Sequence, residues 1–411
     1  MLKASTMELA TGKKLKYIDA LRGIAIVGVL LVHCGQAGTN HYPSFLQNII
    51  LNGAKGVQLF YLASAFTIFL TYAGRREMEV YHKTNFFIRR FFRIAPLYYV
   101  GIVYYLYQNG LGARYFLGDV AEVSTWNIVS NVLFVNGFNP YWITSVVPGG
   151  WSVAVEMFFY CMVPFLFLRI RNLNQSVLFF IFSIFLRMGL QVVLHRFPLI
   201  AFDRLWNEYL FFYLPNQLPV FACGIIFYFL VNTPRSEWRV EPLVAFALSI
   251  LFLTQLATHT NFIFPVHVQF GIAFIVLGYA LSRKEFYALV NPVTIYFGKI
   301  SYSMYLVHFA VLYGLTRLDC VDFIPTDTVY LAMINFVLRF CLLISLTALG
   351  STITYHLVEV PFLNIGKKII KRREDGLSHD IQSCLKTDRR NYFLFQRSAH
   401  RALESKHYDM P

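Results

Sequence analysis

The stretch YIDALRGIAIVGVLLVHCG, residues 17–35, decides the class of protein to which this chain belongs. It is long and apolar enough to cross a bilayer as one helix, since about 20 residues span the hydrocarbon core. It also carries Arg22 near one end and His33 near the other. Their spacing is close to three helical turns, so both side chains share one face, about 16 Å apart along the axis. Ionisable groups inside a membrane span are costly, and they usually mark a functional site.

Apolar stretches of this length recur along the chain. Of its 411 residues, 57% are hydrophobic and only 14% are charged, and the mean hydropathy is +0.52. A soluble globular protein carries about a quarter charged residues, so this composition excludes that class. We predict an all-α, polytopic membrane helix bundle of about ten transmembrane helices. The predicted spans are 20–38, 54–73, 94–110, 152–169, 176–194, 208–232, 241–258, 262–282, 294–317 and 330–358.

The distribution of Lys and Arg orients these spans. If the N-terminus is cytoplasmic, the cytoplasmic segments hold 27 Lys and Arg residues and the opposite segments hold 5. Because positive residues are enriched in cytoplasmic loops, we predict that both the N- and C-termini are cytoplasmic. The net charge of +14 then reflects topology and contact with the lipid bilayer, and we predict no nucleic-acid partner.

The same pattern divides the chain into three parts. Residues 1–16 form a predicted cytoplasmic segment without an apolar h-region, so we expect the first span to act as the targeting signal. Residues 17–362 form the transmembrane domain. Its long outer loop, 111–150, contains a short apolar patch, 131–138, that we expect to be re-entrant or interfacial. Residues 363–411 are a basic cytoplasmic tail that we expect to be flexible.

The cysteines and the short motifs point to no metal chemistry. Six scattered cysteines form no CxxC pair, and no HExxH motif or Gly-rich nucleotide loop stands in a convincing context. We therefore predict neither a disulfide framework nor a metal site.

A basic segment, RRFFRIAPLYY (89–99), opens the third span. Arg89 and Arg93 are four residues apart and share a helical face at the cytoplasmic edge. Planar guanidinium groups suit a phosphate, which they can bind through several hydrogen bonds. Anchoring of the helix by positive charge is an alternative of equal weight.

A lone carboxylate lies at the outer end of the fourth span, in WSVAVEMFFY (151–160). Glu156 is one turn into the span, at a depth similar to that of His33, so the carboxylate and the imidazole could meet. The preceding Gly149 and Gly150 permit an irregular turn.

The ninth span, FGKISYSMYLVH (297–308), places Ser301, Tyr302 and His308 among apolar residues. They are candidate substrate contacts, with hydrogen bonding between helices as the alternative. For Glu359, at the inner end of the last span, a structural role is favoured.

Six motifs together resemble the acyltransferase-3 family of bacterial inner-membrane proteins, in the family's order and from about Tyr17 to Phe362. Two departures stand out: Gln58 and Ala65 replace an Asp and a Gly that relatives often carry, and Glu156 lacks the second acid of a common Glu-Glu pair. The motifs are YIDALRGIAIVGVLLVH, GVQLFYLASAF, RRFFRIAPLYY, WSVAVEMFFY, FGKISYSMYLVH and YHLVEVPF.

The resemblance implies an O-acyltransferase of the bacterial inner membrane. Such an enzyme transfers an acyl group, commonly acetyl from acetyl-CoA, to a hydroxyl of an envelope or exported carbohydrate such as lipopolysaccharide or exopolysaccharide. By this resemblance, His33 is the base or acyl relay and Arg22 supports it. Arg89 and Arg93 bind the CoA phosphates.

On the acceptor side, the resemblance assigns the shaping of the site to Trp151 and Glu156. Gln58 is a further candidate for substrate binding. Two routes stay open, direct transfer and transfer through an acyl-histidine. A transporter or flippase of a lipid-linked sugar, with His33, Glu156 and His308 as a proton relay, is the alternative function. A sensor that acts through its basic tail is a third.

Overall fold

The computed structural model describes residues 15–38, 42–114, 117–118, 120–232, 234, 242–257 and 264–387. These residues form helices and loops, and no strand occurs among them, which confirms the all-α prediction. Most of the predicted segment 1–16 and the tail beyond residue 387 lie outside the described residues. The helices are α1 (Lys16–Gln36), α2 (Ser44–Asn52), α3 (Gly56–Arg76), α4 (His82–Asn109), α5 (Thr125–Val132), α6 (Gly150–Arg169), α7 (Leu173–Arg196), α8 (Asp203–Phe212), α9 (Leu214–Asn232), α10 (Pro242–Ala257), α11 (Val266–Arg283), α12 (Pro292–Lys299), α13 (Ser301–Arg317), α14 (Val329–Thr354) and α15 (Val360–Thr387).

Seven helical stretches in the described part of the chain are long and apolar enough to cross a membrane. Three predicted spans coincide with helices that are not among the seven. α10 and α13 have only 16 and 17 residues, and α4 begins with a polar, arginine-rich half. The seven stretches are Lys16–Gln36, Ser44–Arg76, Gly150–Arg169, Leu173–Arg196, Asp203–Asn232, Val266–Arg283 and Val329–Gly376.

Two predicted spans are broken into pairs of helices. The span 208–232 divides at Tyr213, whose backbone is extended, into α8 and α9. Pro215 is the second residue of α9, and proline is best tolerated in the first turn of a helix. The span 294–317 divides at Ile300, whose backbone angles, φ −99° and ψ 10°, end α12 and begin α13.

The first helix lies at the centre of the bundle, where it packs against α3, α12 and α14. Its crossing with α12 is very close. A Cβ on Gly298 would lie 1.7 Å from the Asp19 carbonyl oxygen, and a Cβ on Gly23 would lie 2.0 Å from that of Thr294. Only glycine allows backbones to approach so closely, so these two positions fix where α1 sits.

One buried arginine holds the other end of α1. Arg339 of α14 is fully buried, and its Nε donates a hydrogen bond to the Cys34 carbonyl at 3.0 Å. Its terminal nitrogens donate to the Val321 carbonyl, the Asp322 carboxylate and the Tyr42 hydroxyl at 2.8–2.9 Å. The guanidinium thereby ties the end of α1 that carries the predicted catalytic histidine to the loop before α14.

The long loop between α4 and α6 folds back on the bundle. It contains α5, with buried Asn127 and Asn131, and a 3-10 turn, Asn136–Phe138. Asn131 accepts a hydrogen bond from the Tyr98 hydroxyl at 2.9 Å, and Asn127 accepts one from the Ser145 hydroxyl at 2.8 Å. The apolar patch 131–138 thus forms the end of α5 and the turn that follows it.

The last helix runs beyond the predicted transmembrane domain. A π-helical turn, Tyr355–Glu359, joins α14 to α15, and α15 extends through the first part of the segment 363–411. It packs along α4, and its Glu374 accepts hydrogen bonds from the backbone N–H groups of Val80 and Tyr81.

Candidate functional site

Two cavities open inside the bundle. We call the first the arginine cavity, because Arg22 of α1 and Arg90 and Arg93 of α4 line it. Glu156 of α6 lies among these guanidinium groups. Three guanidinium groups face one carboxylate in its wall, so the cavity carries a positive charge that suits an anionic group.

Hydrogen bonds fix the carboxylate of the arginine cavity. Glu156 accepts hydrogen bonds from the hydroxyl of Ser64 on α3 and from that of Tyr160, the latter at 2.6 Å. The Arg90 guanidinium lies over the Tyr160 ring, 5.4 Å from its centroid. Arg22 donates to the Thr67 hydroxyl at 3.3 Å and lies 4.0 Å from the Asp19 carboxylate. The positions of these charged side chains are therefore fixed by hydrogen bonds to neighbouring hydroxyl groups as well as by their mutual attraction.

The pair of α4 arginines that lines the arginine cavity is not the pair that the spacing predicts. Arg89 forms an ion pair with Glu79 in the turn before α4 and does not line the arginine cavity. Arg90 and Arg93, three residues apart, both line it. A spacing of three places two side chains on one face as well as a spacing of four does, so the sequence left both pairs possible.

We call the second cavity the histidine cavity, because His33 of α1 lies in its wall. It encloses about 420 Å³, within the range of about 300–1,000 Å³ that small-molecule sites occupy. Gln58, Trp151 and Lys55 also line it, together with apolar and aromatic side chains. Gln58 donates to the Gln217 side chain at 3.0 Å, and its own Oε1 is buried without a hydrogen-bond partner among the described residues.

One side chain lies within hydrogen-bond distance of the His33 ring: Oε1 of Gln36 is 3.2 Å from Nδ1. In the tautomer in which Nδ1 donates to this oxygen, Nε2 keeps its lone pair. Aromatic rings surround the imidazole: the centroid of Phe309 is 4.6 Å away and that of His308 is 5.3 Å away. Such a histidine can take a proton or an acyl group in a largely apolar environment.

The structure places His308 behind the cavity rather than in its wall. The side chain is fully buried and its Nδ1 donates to the Met304 carbonyl at 3.1 Å. Its Nε2 has no hydrogen-bond partner among the described residues. Ser301 and Tyr302, the other candidate substrate contacts on this helix, line the arginine cavity.

Val57 and Tyr305 separate the two cavities, since both residues line both of them. The Tyr305 hydroxyl donates to the Gly149 carbonyl at 3.0 Å and accepts from the Ser152 hydroxyl at 2.8 Å. Gly149 has a φ of +72°, and a Cβ there would lie 2.6 Å from the Tyr305 oxygen. The irregular turn expected at the two glycines therefore supports the side chain that divides the site.

Glu156 and His33 lie on opposite sides of this partition. No hydrogen bond or ion pair joins them in the described part of the chain; the carboxylate lies with Arg22 and the imidazole with Gln36. A similar predicted depth in the membrane therefore does not show that these two side chains are in contact. Glu156 is held by α3 and by its own helix, whereas His33 lies against α13.

Several site residues escaped the sequence analysis. Arg90 stood inside the quoted RRFFR segment, as the second of its three arginines. Tyr305 is one of the polar groups of the fifth motif, FGKISYSMYLVH, where hydrogen bonding between helices is the alternative to a role in the site. Ser64 and Tyr160, which hold the carboxylate, gave no signal of their own. Among the described residues, no group of three or more His, Cys, Asp and Glu side chains could hold a metal ion.

The fold and the site define a class of protein: an all-helical membrane protein whose bundle contains the arginine cavity and the histidine cavity. Within that class, a family model described as an acyltransferase domain, that of the acyltransferase-3 family, matches residues 15–356. The chain belongs to this family, as its six motifs predict.

Curated relatives of this chain are distant. A Staphylococcus aureus (strain COL) protein named "Putative O-acetyltransferase" is 25% identical over 408 residues, which cover 91% of this chain and 62% of that protein. A Caenorhabditis elegans protein named "Regulator of hypoxia-inducible factor 1" is 24% identical, over 88% of this chain and 82% of its own length. A "Putative acetyltransferase" of the Acidianus two-tailed virus is 24% identical over 71% of this chain. No solved structure matches the chain.

Proposed function

We propose that this protein is a membrane-bound O-acyltransferase that moves an acyl group, acetyl in the first instance, from acyl-CoA to a hydroxyl of an envelope or exported carbohydrate. The observation that carries the proposal is one helix, α1, that presents Arg22 to a cationic cavity and His33 to an aromatic one. Membership of the acyltransferase-3 family and the name of the staphylococcal relative support the same reaction class.

We further propose ten membrane crossings in a bacterial inner membrane, with both termini in the cytoplasm. The bias of 27 to 5 in Lys and Arg supports this orientation, and each predicted crossing coincides with one or two helices. The arginine cavity then faces the cytoplasm, where acyl-CoA is found. The histidine cavity faces outward, where an exported glycan or a lipopolysaccharide would be met.

In this scheme the phosphates of CoA bind Arg90, Arg93 and Arg22. Arg89, expected from the sequence to serve with Arg93, holds the turn before α4 through Glu79. Glu156 is the counter-charge that keeps the guanidinium groups in place, and Ser301 and Tyr302 contact the donor. The thioester arm passes the partition at Tyr305 and reaches the histidine cavity.

The transfer step uses His33 as a general base. Its free Nε2 takes the proton of the acceptor hydroxyl, and the oxygen attacks the thioester carbonyl. The new C–O bond forms as the C–S bond breaks, and the thiolate of CoA leaves and takes the proton back from the imidazolium. In the covalent variant, Nε2 first accepts the acyl group as the C–S bond breaks and the thiolate leaves. The acceptor hydroxyl then attacks the acyl-imidazole, the C–N bond breaks, and the hydroxyl proton passes to the thiolate. Gln58 and Trp151 hold the acceptor, and His308 supports the ring of His33 from behind.

The test is glycan O-acetylation in cells that lack this protein, read from acetyl signals in NMR spectra of the purified surface polysaccharides. Complementation with wild type should restore the signals, and an equally abundant His33→Ala protein should not. His195→Ala, a histidine at the exposed end of α7, is the matched control and should restore them fully. Full restoration by His33→Ala would refute the role of His33. If deletion leaves every acyl group in place but strands glycan on the inner side, the protein is a transporter.

A further inference from the structure

A third cavity, which we call the loop cavity, adjoins the histidine cavity. It lies where the end of α4 and the loop after it meet the end of α13, and it holds about 430 Å³. Thr144 and Pro148 line both cavities, so one stretch of loop forms a shared wall. On the proposed function, a carbohydrate on its way to His33 passes along this wall.

The charged side chains that the structure describes in the loop cavity all have one sign. Arg114 and Arg317 line it, and none of its described lining residues is acidic. The histidine cavity adds Lys55 and likewise has no Asp or Glu among its described lining residues. A neutral sugar needs no such excess of cations, whereas a carboxylate or a phosphate gains charge-assisted hydrogen bonds from it.

The two arginines are built into the wall in different ways. Arg114 donates through Nη1 to the Ser145 carbonyl at 2.8 Å and through Nη2 to the Gly110 carbonyl. Its Nε is buried and has no hydrogen-bond partner among the described residues. Neutral carbonyls orient this guanidinium, and no ion pair joins it to a carboxylate among the described residues. Arg317 is exposed, and its Nε donates to the Tyr313 hydroxyl at 2.9 Å.

The remaining polar groups suit a sugar. Gln108 lines the cavity and its Oε1 is buried without a partner in the described chain, so it can accept a hydrogen bond from a sugar hydroxyl. Tyr313 offers an aromatic surface beside the Arg317 guanidinium. Donors for an acid group and an acceptor for a hydroxyl thus line the same space.

We propose that the loop cavity is an acceptor subsite for an acidic carbohydrate, one that carries a carboxylate or a phosphate bound by Arg114 and Arg317. The proposal rests on the proposed function for the fate of the sugar, but the binding it describes does not require transfer to occur. An acidic lipid headgroup offers the same anionic chemistry from the bilayer, and the experiment separates the two sources.

The test uses the full protein in nanodiscs of zwitterionic lipid and two tetrasaccharides that differ only at C6, cellouronic acid and cellotetraose. Equilibrium binding should favour cellouronic acid at least tenfold. Arg114→Gln and Arg317→Gln should each lower that preference severalfold and leave cellotetraose unchanged. Arg204→Gln, a largely exposed arginine on α8, is the control and should change neither affinity.

The proposal would be overturned by any of three results: equal affinity for the two sugars, no binding of either, or a preference that survives both substitutions. Arg317→Gln touches an exposed side chain, so it stays informative if Arg114→Gln misfolds. Competition by phosphatidylglycerol in the nanodisc, lost in Arg317→Gln, would assign the site to a lipid headgroup instead. His33→Ala should abolish transfer and keep the preference, so a failed transfer assay and a failed subsite give different results.

Discussion

The arginine cavity and the histidine cavity share a wall, yet they are opposite in character. In the first, Glu156, Ser64 and Tyr160 form a hydrogen-bonded network among three guanidinium groups. In the second, Trp151 and three phenylalanine rings surround a single imidazole, and Gln36 is its one hydrogen-bond partner in the described chain. One cavity is lined by charged groups joined in hydrogen bonds, and the other mainly by aromatic and apolar side chains.

The difference shows how a membrane enzyme can divide its tasks. On the proposed function, a charged donor is recognised by the guanidinium groups of the arginine cavity, and little of that binding depends on the reacting atoms. The reaction would then take place in the histidine cavity, where the surroundings are more apolar and electrostatic interactions are stronger. The free space of the arginine cavity is only about 70 Å³, against about 420 Å³ in the histidine cavity, so a donor that enters must move side chains aside. The histidine cavity needs no such rearrangement.

The largest effect is expected from His33→Ala. Removing the general base should lower kcat for acyl transfer by about 10²–10⁴-fold while the KM for acyl-CoA stays unchanged. Steady-state assays with labelled acetyl-CoA measure both constants. The variant must melt at the wild-type temperature for the comparison to hold. A rise in the donor KM equal to the fall in kcat would mean that the cavities do not divide their tasks.

A second, smaller effect is expected from Arg93→Gln and Arg90→Gln. Each removes charge-assisted hydrogen bonds worth about 1.5–3 kcal/mol, so the KM for acetyl-CoA should rise about 10- to 100-fold with kcat at saturation unchanged. Acetyl-pantetheine, which has the thioester but no phosphate, provides the sharper measurement. Its KM should be the same in wild type and variants. Lys83→Gln, an exposed cation of α4, is the control and should behave as wild type.

The sequence predicted the family and the helical class well because those depend on local patterns. Long apolar stretches and six ordered motifs suffice for both. It could not predict which arginine of α4 faces inward, because spacings of three and four share a face. It placed Glu156 beside His33 from depth alone, and depth does not reveal the helix against which a side chain packs. The breaks at Tyr213 and Ile300 depend on tertiary packing and were also missed.

A third prediction concerns the crossing that places Arg22. In Gly298→Ala, the new Cβ would meet the Asp19 carbonyl at 1.7 Å, so the two helices must separate. Such overpacking costs about 1–3 kcal/mol, and the melting temperature should fall. Because the crossing lies at the Arg22 end of α1, the donor KM should rise more than kcat falls.

Gly189→Ala is the matched control for this crossing. A Cβ on Gly189 meets nothing within 4 Å, so alanine should leave activity unchanged and stabilise its helix slightly. If Gly298→Ala melts and reacts like Gly189→Ala, the close crossing does not determine the position of Arg22.

The smallest effect is expected from Glu374→Gln, at the contact of α15 with the turn before α4. Burial raises the pKa of Glu374, but hydrogen bonds from the N–H groups of Tyr81 and Val80 and from Asn85 outweigh it, and the pKa lies below the usual carboxyl range. The stabilisation that the Glu374 carboxylate gives to the turn before α4 is therefore complete above the ordinary pKa, about 4.3, and is lost as the pH falls through the lower folded value.

Hydrogen–deuterium exchange of residues 78–85, corrected for intrinsic rates, should rise about fivefold in the variant at pH 7, since one such hydrogen bond is worth about 1 kcal/mol. Wild type should approach the variant only at acid pH, and the histidine cavity should exchange alike in both. Equal exchange of 78–85 at pH 7 would show that α15 does not support the helix that carries the donor-binding arginines.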